Sequence, residues 1–158
     1  MQCTKEVNVT ILLASYNGER YIREQLDSII ANDYKNINLI VSDDGSNDNT
    51  WSILQEYASK YSFITLIKNC NEKHGALWNF ANLVKYVKHS QTQQCYYMFS
   101  DQDDVWLPNK IRISVEQIKK TEENDAVLIY TAKQYVDEKL NYINFDIPDE
   151  KNIDLNIL

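Results

Sequence analysis

The chain has 158 residues, of which 44% are hydrophobic and 11% aromatic, enough to form the core of one folded domain. Its 16 lysines and arginines against 23 aspartates and glutamates give a formal net charge of −7. The composition argues against a nucleic-acid-binding protein, because affinity for a phosphate backbone needs clustered cations and the basic residues here are scattered.

The cysteines and the apolar runs indicate the cellular compartment in which we expect the chain. The three cysteines are far apart and form no CxxC pair, so neither a disulfide framework nor a zinc site is predicted, which favours the cytoplasm. The longest apolar run near the start, VTILLA, is too short for a membrane span. No transmembrane segment is expected, and peripheral association with the inner face of the membrane stays open.

Strand-like and helix-like segments alternate along the chain. Residues 7–14 and 37–43 have the apolar character of buried strands, and residues 19–32 place apolar side chains on one helical face. A second helix follows the turn residues after position 43. The apolar side chains on one face of that helix are Trp51, Leu54, Ala58 and Tyr61.

The alternation continues in the rest of the chain. Residues 63–69 and 95–101 are predicted as the third and fourth strands, and residues 126–137 as a fifth. A helix over 75–89 is predicted between the third and fourth strands, and Pro108 suits the first turn of another helix. The predicted buried stripe of the 75–89 helix consists of Leu77, Phe80, Ala81, Val84 and Val87.

This order of elements predicts an α/β fold. Strands that alternate with single helices form right-handed crossovers, so we expect a mostly parallel sheet covered by helices on both faces, a three-layer α/β/α arrangement. Periodicity fades after residue 137, where Pro148 interrupts the pattern. The chain is therefore also compatible with a fragment of a longer protein.

Polar residues follow each predicted strand, where an open parallel sheet binds its ligands. The Asp101–Asp104 segment comes after the fourth strand, and alternation in an extended segment would put Asp101 and Asp103 on one side. Two carboxylates suit a hard cation such as Mg²⁺ or Mn²⁺, whose remaining ligands are waters and substrate phosphates. The alternative is a solvated turn that caps the next helix.

Two residues at other strand ends are candidates for binding a nucleotide. Asp43 lies at the end of the second strand, where a carboxylate can accept hydrogen bonds from a base or a ribose. For Asp44 and Ser46, capping of the following helix is as good an interpretation as a role in binding a ligand. Tyr16 could stack on a base or simply pack. Neither G-x-G-x-x-G nor a P-loop is present, which leaves metal-assisted binding of a nucleoside diphosphate.

Taken together, these segments resemble the family 2 glycosyltransferases of the GT-A fold. The segments that carry the resemblance are VTILLASYNGERYIREQLDSI, LIVSDDGSNDNTWSIL, FSDQDDVWLPNKI and AVLIYTAKQYVDE. They span about nine-tenths of the chain and occur in the expected order. The segments GALWNFANLV and FSDQDDVWLPNKI look most like bacterial polysaccharide enzymes, rhamnosyltransferases among them.

The resemblance implies a set of site residues. Residues implied to bind a UDP- or dTDP-sugar donor are Ala14, Ser15, Tyr16, Asn17, Asp43, Asn79, Asp101 and Gln102. Asp103, together with Asp101, would ligate Mn²⁺ or Mg²⁺. Lys73 or His74 is a candidate contact to the diphosphate, although His74 also fits an exposed loop histidine.

The resemblance also implies an inverting, metal-dependent transfer of a sugar to a hydroxyl of a saccharide or lipid-linked saccharide. Residues 1–137 would form the donor-binding domain and residues 138–158 the start of a truncated acceptor-binding region. The general base is not identifiable in this chain, so a donor-binding domain without transfer activity is the alternative. A phospho-acceptor receiver domain is disfavoured, because Ser15 and Tyr16 stand where its paired acids would follow the first strand.

Overall fold

Strands and helices alternate in the computed structural model, which describes residues 7–70, 72–89, 95–121 and 127–146. Two compact units are present, Met1–Val115 and Glu116–Leu158. The elements in chain order are β1 (Asn8–Ser15), α1 (Ile22–Ile30), β2 (Ile37–Asp43), α2 (Thr50–Lys60), β3 (Ile64–Lys68), α3 (Ala76–His89), β4 (Cys95–Ser100), α4 (Lys110–Ile118), β5 (Lys133–Val136) and β6 (Tyr142–Asp146).

The first unit contains a parallel sheet with the strand order β3-β2-β1-β4. Strand β1 pairs with β2 on one side and β4 on the other, so that Ile11 lies opposite both Leu39 and Met98. Because β1 is central and covered on both faces, its residues from Val9 to Ser15 are all buried. The polar segments after these strands therefore meet at one edge of the sheet, as predicted.

Helices cover both faces of this sheet. On one face Ile11 and Leu13 belong to the larger core cluster, with Leu26 of α1 and Leu54 of α2. On the other face α3 packs against β1 and β2, where Leu83 joins the second cluster. This three-layer α/β/α arrangement confirms the predicted fold class.

None of the helices in the described ranges is long and apolar enough to cross a membrane.

The buried face of α3 differs from the predicted stripe. Asn79, Leu83 and Val87 are buried, whereas Leu77 is 75% and Val84 44% exposed. The prediction is right for Val87, and Phe80 packs partly buried against the second core cluster, but it is wrong for Leu77 and Val84 because the helix begins beside the polar edge of the sheet. There the inward position is taken by an asparagine that bonds to the strands.

The predicted fifth strand over 126–137 is wrong in extent and in pairing. Residue 126 lies outside the described residues, and only Lys133–Val136 forms a strand, which pairs antiparallel with β6. The Asp137 carboxylate at the turn accepts hydrogen bonds from the backbone N–H groups of Lys139 and Asn141. This local turn makes a hairpin in the second unit, a pairing that strand propensity alone does not specify. The predicted boundary after residue 137 stays a prediction.

Candidate functional site

Side-chain hydrogen bonds join the loops that follow β1 and β2. The backbone N–H of Asn17 donates to Ser46 Oγ at 2.9 Å, and Asn17 Oδ1 accepts from the N–H of Asn47 at 2.8 Å. Asn17 adopts a left-handed backbone conformation, with φ of 47°, which asparagine tolerates better than most residues. These bonds fix the two loops relative to each other at the carboxyl edge of the sheet.

An open cleft of about 720 Å³ lies at this edge of the sheet. Its walls come from the segments after β1, β2 and β4 and from the start of α3, as expected for a parallel α/β sheet. The lining residues are Ala14, Ser15, Tyr16, Asp44, Gly45, His74, Gly75, Ala76, Asn79, Asp101, Gln102 and Asp103. All the predicted donor and metal residues except Asn17 and Asp43 are among them. Their roles toward a ligand stay predictions.

Asp43 is buried beneath the turn after β2, with 1% of its surface exposed. Its Oδ1 accepts the N–H groups of Gly45 and Ser46, and its Oδ2 accepts the Ser46 hydroxyl at 2.6 Å. Gly45 has φ of +84°, a conformation that glycine adopts at little cost. The carboxylate thus builds the turn, and contact between Asp43 and a nucleotide base stays a prediction. The neighbouring Asp44 lines the cleft.

Asp44 is buried and is the centre of a hydrogen-bonded cluster that sequence reasoning missed. Its carboxylate accepts hydrogen bonds from the amide of Asn69 and the N–H of Gly75, both at 2.6 Å, and from His74 Nδ1 at 3.0 Å. Burial raises the pKa of Asp44, but the bonds from Gly75, Asn69 and His74 outweigh it and the pKa is lowered overall. Asp44 is therefore an ionised acceptor that ties β2 to the start of α3. One signal for this cluster was present in the sequence: Asp44 is the second of two consecutive acids, Asp43 and Asp44, at the end of a strand.

Tyr16 and Gln102 bind each other through a pair of amide hydrogen bonds. The N–H of Tyr16 donates to Gln102 Oε1 at 2.8 Å, and Gln102 Nε2 donates to the Tyr16 carbonyl at 3.0 Å. Gln102, which the resemblance implies as a donor-binding residue, therefore bridges the loops after β1 and β4. Half of the Tyr16 surface remains exposed at the cleft, so its ring is accessible for stacking.

This bridge predicts an effect of substituting Gly18. A Cβ atom at Gly18 would lie 2.3 Å from Gln102 Oε1, so Gly18→Ala displaces the flexible Gln102 side chain. We expect Gly18→Ala to lower nucleotide affinity several-fold with little change in melting temperature, because only the order of the Tyr16 loop is lost. Calorimetry with UDP and Mn²⁺ measures this.

The control for Gly18→Ala is a double-mutant cycle with Gln102→Ala. Because both substitutions remove the same bridge, the double variant should bind no more weakly than either single variant. Additive losses would show that Gly18 acts by another route.

Asn79 forms the floor of the cleft and holds α3 to the sheet. Its Nδ2 donates to the carbonyl of Ser42 at 2.9 Å and to that of Ser15 at 3.2 Å, at the ends of β2 and β1. The residue is 2% exposed. Both donors of this amide are therefore used within the protein, and Oδ1 has no hydrogen-bond partner among the described residues.

Asp101 and Asp103 are the exposed carboxylates that line the cleft after β4. The segment turns at residues 102 and 103, so the expected extended alternation is replaced by a bend in which Asp101, Gln102 and Asp103 all line the cleft. Within the described part of the chain, no group of three or more metal-ligating side chains is assembled. One or two carboxylates open to solvent fit Mg²⁺ or Mn²⁺, which takes its other ligands from waters and substrate phosphates.

The sheet and its cleft define a class of protein: α/β domains that bind a ligand across the carboxyl ends of parallel strands. Residues 10–154 match the family model described as Glycosyl transferase family 2. The chain therefore belongs to glycosyltransferase family 2, which confirms the resemblance inferred from its sequence segments.

One relative in this family is the dTDP-rhamnosyl transferase RfbG of Shigella flexneri. The two sequences are 36% identical over 141 residues, which cover 85% of this chain and 48% of the relative. The chain thus spans about half the length of this relative.

Solved structures share the fold. S. aureus TarS 1–349 in complex with UDP-GlcNAc matches with a TM-score of 0.62 and 20% identity over 82% of this chain and 40% of that chain. The mannosyltransferase PcManGT from Pyrobaculum calidifontis, in complex with GDP-Man and Mn²⁺, matches with a TM-score of 0.60 and 24% identity over 72% of this chain and 32% of that chain. These similarities confirm the predicted GT-A fold.

Proposed function

We propose that this chain binds the nucleoside diphosphate of a UDP- or dTDP-sugar in the cleft and forms the donor half of an inverting glycosyltransferase. The observation that carries the proposal is the convergence of Tyr16, Asp101 and Asp103 on one cleft at the carboxyl edge of the sheet. An aromatic ring suits a base, and paired carboxylates suit a cation beside a diphosphate. The names of the relatives, a dTDP-rhamnosyl transferase and a complex with UDP-GlcNAc, support these nucleotides.

Asp103, with Asp101 beside it, would hold Mn²⁺ or Mg²⁺. The PcManGT complex with GDP-Man and Mn²⁺ supports a divalent cation in this fold. Such a cation, when bound, supplies positive charge that stabilises a departing diphosphate. Carboxylates without a cation would repel the diphosphate, and the net charge of −7 adds to this repulsion.

In the transfer itself, an acceptor hydroxyl oxygen forms a bond to the anomeric carbon as the bond from that carbon to the diphosphate oxygen breaks. The hydroxyl proton passes to a general base, and the nucleoside diphosphate leaves with the bonding electrons from the opposite face. The acceptor is a hydroxyl of a growing cell-surface polysaccharide or of a lipid-linked saccharide. The sugar is a hexose or a rhamnose, and the protein works in the cytoplasm or at the inner face of the membrane.

A second candidate function is a donor-binding domain that performs no transfer alone. The observation that favours it is that the chain spans 48% of the length of the RfbG relative. In this reading, residues 138–158 belong to an acceptor-binding region and the preceding residues bind the donor.

A panel of nucleotide sugars tests both candidates. A ligand that binds only the native state raises the melting temperature, so UDP- and dTDP-sugars with Mn²⁺ should stabilise the protein. Labelled donor and saccharide acceptors then show whether sugar is transferred. Stabilisation without transfer favours the binding domain, and a panel that gives no stabilisation overturns the proposed function.

A further inference from the structure

Three polar side chains in and just after α1 are buried where the helix packs against the segment that follows β4. Gln25, Ser28 and Asn32 stand at the spacing i, i+3 and i+7, which puts them on one helical face, and they are 0%, 9% and 0% exposed. Burying an amide or a hydroxyl costs free energy unless the group forms hydrogen bonds. The partners of these three side chains therefore show what this face of α1 holds in place.

Gln25 holds the beginning of the segment after β4. Its Nε2 donates to Ser100 Oγ at 2.5 Å, and that hydroxyl donates to the Asp101 carbonyl at 3.0 Å. Ser100 is only 2% exposed, so both bonds are shielded from water. The backbone of the first acid on the cleft is thus connected to α1 through one buried hydroxyl.

Ser28 and Asn32 hold the same segment beyond its acids. The N–H of Trp106 donates to Ser28 Oγ at 3.0 Å, and Asn32 Nδ2 donates to the Leu107 carbonyl at 3.1 Å. Residues 101–109 belong to neither a helix nor a strand, so their backbone groups lack the partners that regular structure provides. The acids of the segment therefore lie between two points at which α1 holds the backbone.

We propose that Gln25 is a positioning residue for the divalent cation, because through Ser100 it fixes the backbone that carries the Asp101 and Asp103 carboxylates. The inference rests on the proposed function and adds to it a residue outside the cleft lining. Ligating carboxylates depend on the hydrogen bonds that orient them, and loss of an outer partner weakens metal binding by about 10- to 100-fold. Two acids on an otherwise exposed turn depend on such support.

The test is Gln25→Met, which keeps a side chain of similar size but removes the donor to Ser100. The measurement is the affinity for Mn²⁺ in saturating UDP, followed by the electron paramagnetic resonance signal of free Mn²⁺. We expect this affinity to fall by about 10- to 100-fold. Ser100→Ala removes the same link and should have the same effect, and the two losses should not add in the double variant. Additive losses would overturn the route through Ser100.

Asn32→Leu is the matched control, because it removes buried hydrogen bonds from α1 to the same segment on the far side of Trp106. It should lower the melting temperature at least as much as Gln25→Met does, yet leave Mn²⁺ affinity close to the wild-type value. An equal loss of Mn²⁺ affinity in Asn32→Leu would show that Gln25 acts on stability alone and would overturn its positioning role.

Two further outcomes separate this inference from the proposed function. Unchanged Mn²⁺ affinity in Gln25→Met, or in Ser100→Ala where Gln25→Met does not fold, overturns the role of Gln25 while the proposed function stands. Failure of the wild-type chain to bind UDP in the presence of Mn²⁺ overturns the proposed function instead.

Discussion

Asp103→Ala is expected to abolish metal-dependent binding of UDP and dTDP while the protein remains folded. Loss of an outer-shell partner alone weakens metal sites by 10- to 100-fold, so loss of a ligating carboxylate should cost roughly 100-fold or more. The side chain is exposed, and its removal should therefore change the free energy of unfolding little. Calorimetry with UDP, in Mn²⁺ and in EDTA, measures the effect.

Asp104→Ala is the matched control for the loss of one negative charge from the same segment. Asp104 lies next to Asp103 but is not among the residues that line the cleft. Affinity in Mn²⁺ should therefore remain close to that of the wild-type chain. If Asp103→Ala binds UDP as tightly as Asp104→Ala does, the assignment of the metal site is wrong.

Asn79→Leu is expected to lower the free energy of unfolding by about 2–4 kcal/mol, because the carbonyls of Ser15 and Ser42 lose a buried donor. Leucine has a similar size and a better helix propensity, so the loss is not a helix effect. The variant should also bind nucleotide more weakly, since this amide positions the ends of β1 and β2. Urea unfolding followed by circular dichroism measures the stability, and calorimetry measures the binding.

The control on the same helix is Lys85→Leu, which introduces the same side chain at an exposed position. Surface substitutions of this kind change stability by only about 0.5 kcal/mol. Equal stability of the two variants would show that the bonds from Asn79 to the strand carbonyls contribute nothing measurable.

The order of elements and the fold class could be read from the sequence. Buried parallel strands are continuous apolar runs and their covering helices are amphipathic, so VNVTILLA and INLIVSD identify β1 and β2 from local pattern alone. The 126–137 segment was misassigned because its pairing depends on a turn at Asp137. Periodicity reports the side-chain face of a segment but not the partner with which its backbone pairs.

The candidate site was predicted in outline and corrected in detail. Tyr16, Asp101 and Asp103 were located because polar residues after successive parallel strands must meet at one edge. The bridge from Gln102 to Tyr16 joins positions 86 residues apart, and the bond from His74 to Asp44 joins positions 30 apart. Contacts of this kind leave no local pattern, so the sequence alone could not indicate them.

The sequence by itself determined that this protein is an α/β domain with acidic turns at the ends of β2 and β4, because strand, helix and turn preferences act over a few residues. Only the tertiary structure decided which acid of the Asp43–Asp44 pair lies on the cleft and which builds the turn. Neighbouring residues at a strand end point in opposite directions, and the left-handed conformation of Gly45 turns the chain directly after them. The choice between the two acids therefore depends on the backbone path and on the partners Asn69, His74 and Gly75, which lie in the segment between β3 and α3.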